Sequence, residues 1–153
     1  VYAGGAGGPN AIKQANLNHQ VFQITEGIPN SGYQPAMAYE KAFRAKEGMS
    51  LWYPRAVNEM RMFKAATKKA NSLDPIKVAK ALEGMKFNVL DGGTGFMRKT
   101  DHQFFQPLYI SSFGTLAHNE PFDEEHTGWG WHLVAKIDTA HTVLPTSCKM
   151  KRP

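Results

Sequence analysis

Six histidines, at positions 19, 102, 118, 126, 132 and 141, are the first candidates for metal or acid–base chemistry. None belongs to H-E-x-x-H, and no two sit four apart, the spacing that brings two rings onto one helical face. His118 and His126, with Asp123, Glu124 and Glu125, have the ligand types a cation wants, but so polar a run reads first as a solvated loop. Asp101-His102 sets an acid beside a base, yet adjacent residues of a strand point to opposite faces. There is no G-x-S-x-G, and Cys148 lies in the tail without a neighbouring histidine to activate it. The residues therefore give no support to an enzyme whose active site lies wholly inside this chain, and no enzyme, cofactor or metal is expected.

Binding chemistry has better material. Gly4, Gly5, Gly7 and Gly8 form a glycine-rich turn before Pro9, but Asn10 stands where the last glycine of G-x-G-x-x-G belongs and no G-K-[ST] follows. Nucleotide binding is unsupported. Such a turn still lets backbone N–H groups approach a ligand at a helix start, although a plain strand-to-helix turn is the more ordinary account. Glu26, between the strand-like Val21-Phe22-Gln23-Ile24-Thr25 and Gly27, is placed to meet a ligand's positive group, and surface glutamates are also common.

The elements around these residues follow from periodicity. The organising stretch runs from Leu51 to Phe87 as two helices feeding a strand. Trp52, Ala56, Met60, Phe63, Ala66 and Ala70 recur at helical spacing, with Arg55, Lys64, Lys68 and Lys69 between them. Asp74 is set to cap the next helix, Pro75 suits its first turn, Val78, Ala79 and Leu82 form its apolar face, and Gly84 stops it. Lys86 to Leu90 alternates as a strand before the turn at Asp91-Gly92-Gly93.

Upstream, Val1 to Gly8 reads as a strand into the glycine turn, and Pro9 opens a helix through Ala11, Ile12 and Ala15. A further helix starts at Pro35 and closes at Gly48, expected to turn Ala38, Ala42 and Phe43 inward and Glu40, Lys41, Arg44 and Lys46 outward. Downstream, strands are expected at Phe96-Met97-Arg98, at Phe104-Phe105 with Leu108-Tyr109-Ile110, and from Trp129 to Ile137. Phe113 to Glu125 reads as a loop, and the tail from Thr142 as surface-lying chain.

The chain has 153 residues, 42% hydrophobic and 20% charged, enough to bury roughly 70% of its unfolded surface as one domain. No apolar run approaches the ~20 residues that span a bilayer. Val1 begins strand-like without a lead-in, as the interior of something longer would, whether cut from it or left after an upstream part was removed. The net charge of +5 invites a nucleic-acid reading. The basic residues are spread along helix faces and the aromatics are not interleaved with arginine, so a solvated basic surface is the better account. Cys148 is the only cysteine, which rules out an internal disulfide and leaves a thiol that is either idle or paired with something outside the chain.

Several ordered motifs resemble one family. The run Lys69-Ala70-Asn71-Ser72-Leu73-Asp74-Pro75, followed by Val78 through Phe87, is similar to the late helical region of bacterial ABC-transporter substrate-binding proteins of the type I, leucine/isoleucine/valine-binding kind. Phe96-Met97-Arg98, Asp101-His102-Gln103 and Gln106-Pro107-Leu108-Tyr109-Ile110 resemble the family's returning hairpin. Thr127-Gly128-Trp129-Gly130-Trp131 and the ending Pro145 to Pro153 resemble its last strand and C-terminus.

The resemblance implies an α/β fold, part of a two-lobed arrangement of three-layer α/β/α lobes joined by a hinge, with this chain as the C-terminal portion. Residues 1–33 would be the end of the C-terminal lobe and a hinge crossing, 34–90 late helices packing on the N-terminal lobe, and 91–153 returning strands and tail. It implies capture of a small polar ligand, a branched-chain amino acid or a related amide or carboxylate, by lobe closure. The ligand contacts carried over are Tyr2, Gly5, Ala6 and Glu26, with Ala6 standing where some amino-acid-binding members carry an aromatic. The implied partners are a membrane permease and the missing N-terminal portion of the same protein, in the periplasm, without nucleic acid. A ligand-sensing regulatory domain, or an enzyme of similar fold, is the alternative.

Overall fold

The computed structural model describes residues 8–52 and 54–149. Its elements, in order, are α1 (Pro9–Gln14), β1 (Val21–Thr25), α2 (Gln34–Glu47), α3 (Pro54–Ala70), α4 (Pro75–Leu82), β2 (Lys86–Asn88), β3 (Thr94–Met97), β4 (Phe104–Phe105), β5 (Leu108–Thr115), β6 (Trp129–Ile137) and α5 (Thr139–Thr142). The mixed α/β composition agrees with the expectation. Local signals act as anticipated: Asp74 Oδ1 accepts the Lys77 N–H at 2.9 Å to cap α4, and Gly48 closes α2 in the left-handed region at φ 70°.

The strands form two antiparallel sheets, ordered β1-β5-β6 and β2-β3-β4. In the first, Val21 pairs with Phe113 and Phe113 with Trp131. These three, with Ile12 and Trp129, make one buried cluster, and the Phe113 and Trp131 rings lie 5.0 Å apart in a tilted arrangement. The second cluster, Met62, Ala66, Val78, Leu82 and Met97, joins α3 and α4 to the second sheet, with Phe87 and Phe104 packed against it. Among the described residues no helix is long and apolar enough to cross a membrane.

Three expectations need correction. The segment from Phe113 is not loop from its start: β5 continues to Thr115. Ser111 and Ser112 interrupt the apolar pattern there, but both are buried, and an irregularity after Ile110 re-aligns the strand with β6. On α2 the inward face carries Ala36 and Glu40, while Ala38 and Ala42 face outward. Glu40 is tolerated inside because Arg44, one turn on, pairs with it at 2.5 Å. On α3 the buried stripe is Pro54, Asn58, Met62 and Ala66, whereas Met60 and Phe63 are exposed. The polar Asn58 displaces the apolar register because its side chain satisfies the backbone of another segment, accepting the Leu90 N–H at 2.8 Å.

Candidate functional site

The α3 stripe matters because it builds one wall of a cleft of about 480 Å³, within the size range of small-molecule sites. Residues at i, i+3 and i+4 share a helical face, so Arg55, Asn58, Glu59 and Met62 rise in succession along the wall. Leu82 from the end of α4, Met97 from β3 and Phe104 from β4 make the apolar side. Glu26, just beyond β1, and Gln106, between β4 and β5, add polar groups. Asn58 ties the wall together, its amide donating to Gln106 Oε1 at 3.5 Å.

Glu26 Oε2 and the Arg55 guanidinium stand 3.2 Å apart at this cleft, with the glutamate side chain 17% exposed and the arginine 52%. A cleft with an apolar wall and a charged pair of both signs suits a small amphiphile carrying a charged head. Of the anticipated ligand contacts, Glu26 is therefore on the cleft. Tyr2, Gly5 and Ala6 lie outside the described residues.

Behind the pair lies a second, small cavity of about 20 Å³, lined by Gly27, Glu40, Leu51, Pro54 and Asp91 among others. Asp91 is buried, and burial, reinforced by the Glu40 charge, pushes its carboxyl up to about 7. The Tyr109 hydroxyl donates to the Asp91 backbone carbonyl at 2.7 Å, and burial beside that acidic group raises the phenol above its ordinary range. Glu124, also buried, is raised to about 7 by desolvation against the opposing pull of the Ser50 hydroxyl and Arg44.

The polar 118–126 stretch weighed as a cation site is divided by the fold. Glu124 turns inward to Arg44 and Ser50, Asp123 accepts the Gly128 N–H at 2.9 Å, and Glu125 accepts from Asn10 at 3.1 Å. Among the described residues no three His, Cys, Asp or Glu side chains converge as metal ligands. Asp101 pairs with Arg98 at 2.5 Å, while His102 faces Glu83 at 3.5 Å. The lining residues that sequence reading did not single out are Arg55 and Asn58 of the cleft and Glu40 and Asp91 of the small cavity. The apolar periodicity placed Arg55 and Glu40 on solvated faces and gave no signal for Asn58, and Asp91 reads as an ordinary turn residue.

A family model described as periplasmic binding protein matches residues 1–115. Among solved structures, a leucine-, isoleucine-, valine-, threonine- and alanine-binding protein from Brucella ovis, in its closed conformation, is 22% identical with a TM-score of 0.80. That match covers 95% of this chain and 39% of the Brucella chain. An ABC-type branched-chain amino acid transporter protein from Rhodopseudomonas palustris is 21% identical, covers 94% and 37% of the two chains, and has a TM-score of 0.54. A solute-binding protein of an ABC transporter from the same species, in complex with 3,4-dihydroxybenzoic acid, is 17% identical, covers 78% and 31%, and has a TM-score of 0.60. No curated protein matches the sequence. The chain thus spans under two-fifths of the length of these structures.

Proposed function

From the premise that the chain belongs to the periplasmic binding protein family, we propose that it is part of an extracytoplasmic solute-binding protein that hands a small polar ligand to an ABC permease. The ligand class is a branched-chain amino acid or a related amide or carboxylate. The observation that carries this reading is the Glu26–Arg55 pair set beside an apolar wall. Glu26 would take the ligand's ammonium and Arg55 its carboxylate, while Met97, Phe104 and Leu82 would accept an aliphatic body. Tyr2 and the backbone at Gly5 and Ala6 are proposed as further contacts.

No bond is made or broken in this function. The ligand favours a closed form because it touches both walls only there, and closure presents a surface the permease can read. The second wall would come from the rest of a longer protein. Support for that comes from the 39% coverage of the Brucella chain and from apolar groups left exposed on both sheets' surroundings, Phe22 and Ile24 on β1 and Met60 and Phe63 on α3. The division into 1–33, 34–90 and 91–153 is proposed on the same footing, the two separate buried clusters being consistent with two lobes.

The test is calorimetric titration of the longer protein with leucine, isoleucine, valine, their amides and the corresponding carboxylates lacking the amine, before and after Glu26→Gln. Loss of a charge-paired contact in a closed cleft costs about 2–5 kcal/mol of binding free energy. Unchanged affinity removes Glu26 from the site, and no binding by any of these compounds overturns the ligand class.

A further inference from the structure

We propose that the carboxylates of Glu40, Asp91 and Glu124 form a proton-holding joint, gripping α2, the start of α3 and the 120–127 loop while it retains a proton and slackening when it loses it. Its consequence for ligand capture rests on the reading of the cleft given above; the joint itself rests on burial, shared hydrogen bonds and the count of charges.

The first argument is a charge count. The three residues are 4%, 5% and 1% exposed respectively. One guanidinium serves two of them: Arg44 bonds Glu40 at 2.5 Å and Glu124 at 3.2 Å. The same arginine donates to the Asp123 carbonyl at 2.6 Å, so it cannot turn to a third carboxylate. Asp91 feels Lys136 of β6, whose ammonium lies 5.7 Å from the centre of the Tyr109 ring, and accepts the Ile28 N–H. Glu124 meets the Ser50 hydroxyl, and Asp123, Glu125 and His126 of its own loop surround the neighbouring pocket with Arg44. Glu40 accepts the Leu51 N–H at 3.3 Å. Buried carboxylates outnumbering their contacting cation hold a proton more cheaply than they bear an unpaired charge.

The second argument is position. Glu40 and Asp91 line the same 20 Å³ cavity, which has the volume for a single water between them. That cavity is bounded by Gly27 and Pro54, the residues next to Glu26 and Arg55 in the chain. The ties made by the joint therefore end one residue from each partner of the cleft's charged pair. Burial pushes both the Asp91 and the Glu124 carboxyl up to about 7, which places loss of the proton near neutrality.

A carboxyl that binds its proton more tightly folded than unfolded stabilises the fold below its unfolded pKa, and that stabilisation is lost as pH rises through the folded value. Hydrogen exchange of the longer protein, followed on peptides of these residues and corrected for the intrinsic pH dependence of exchange, reads this directly and needs no ligand. Local opening of peptides covering 26–30, 48–56 and 120–127 should increase about tenfold per pH unit for each proton lost, between about pH 5 and 7. Peptides in α4 should not follow it. Asp91→Asn should flatten the first two peptides, and Glu124→Gln the last two. A wild-type profile without this slope, or a slope surviving in both variants, overturns the proposal. Should either variant fail to fold, carboxyl carbon NMR titration of wild-type Asp91 and Glu124 decides, and ordinary carboxylate values for both overturn it. A failed exchange test leaves ligand affinity untouched, so it is distinguishable from failure of the cleft.

Discussion

Gly27 lies against the Asp91 carboxyl so closely that a methyl group on its α-carbon would have all three carboxyl atoms within 2.8 Å. Glycine is needed at 27 for space, because the turn after β1 and the turn before β3 cross there with no room for a Cβ. Gly27→Ala should destabilise the chain by about 1–3 kcal/mol, the usual cost of overpacking. In urea denaturation the double variant with Asp91→Ala should recover part of that loss, since the two residues touch. Strict additivity would separate them.

Arg44 is the cation that two buried carboxylates share. Arg44→Ala leaves Glu40 and Glu124 facing one another without it and should cost about 3–5 kcal/mol, as breaking a buried pair does. The sign with pH follows from Glu124, whose carboxyl is raised to about 7. Below that value it is protonated and needs the cation less, so the penalty should grow as pH rises through about 7. A penalty independent of pH in guanidinium titrations would contradict this.

Asp101 behaves in the opposite sense. Hydrogen bonds from Arg98, first, and from Thr146 hold its carboxyl well below the ordinary range. Its contribution is present above the unfolded pKa and is lost as pH falls through the depressed folded value. Asp101→Asn should therefore be less stable than the parent at neutral pH, and the difference should close on strong acidification. Thermal unfolding across an acid series measures it, and a gap that persists at the acid end would refute it.

The cap of α4 is a local device with a local cost. Asp74→Ala removes the acceptor of the Lys77 N–H and should lower stability by about 0.5–2 kcal/mol, with Asp74→Ser nearly neutral. Equal losses for both would mean that the capping bond is not the source.

Much of this molecule was legible before its structure. Asp74, Pro75, Gly48 and Gly84 mark helix ends through backbone chemistry that needs no partner from afar, and the structure uses each of them as expected. The alternation from Trp129 to Ile137 likewise marked β6. Glu26 was picked out by its place after a strand, and it does reach the cleft.

Which face α2 and α3 bury was settled only by tertiary packing, whereas Val78 and Leu82 of α4 are buried as their spacing foretold. Glu40 enters the interior because Arg44, one turn on, and the Leu51 N–H from beyond the helix meet it there, and Met60 stays outside because Asn58 takes the inward stripe. An apolar count along one helix sees neither. Local backbone preferences, encoded in neighbouring residues, were therefore determined by sequence alone. The polar joint behind Glu26 and the charged pair with Arg55 exist only once distant segments meet, because the cost of burying a charge is set by the partners that folding brings to it.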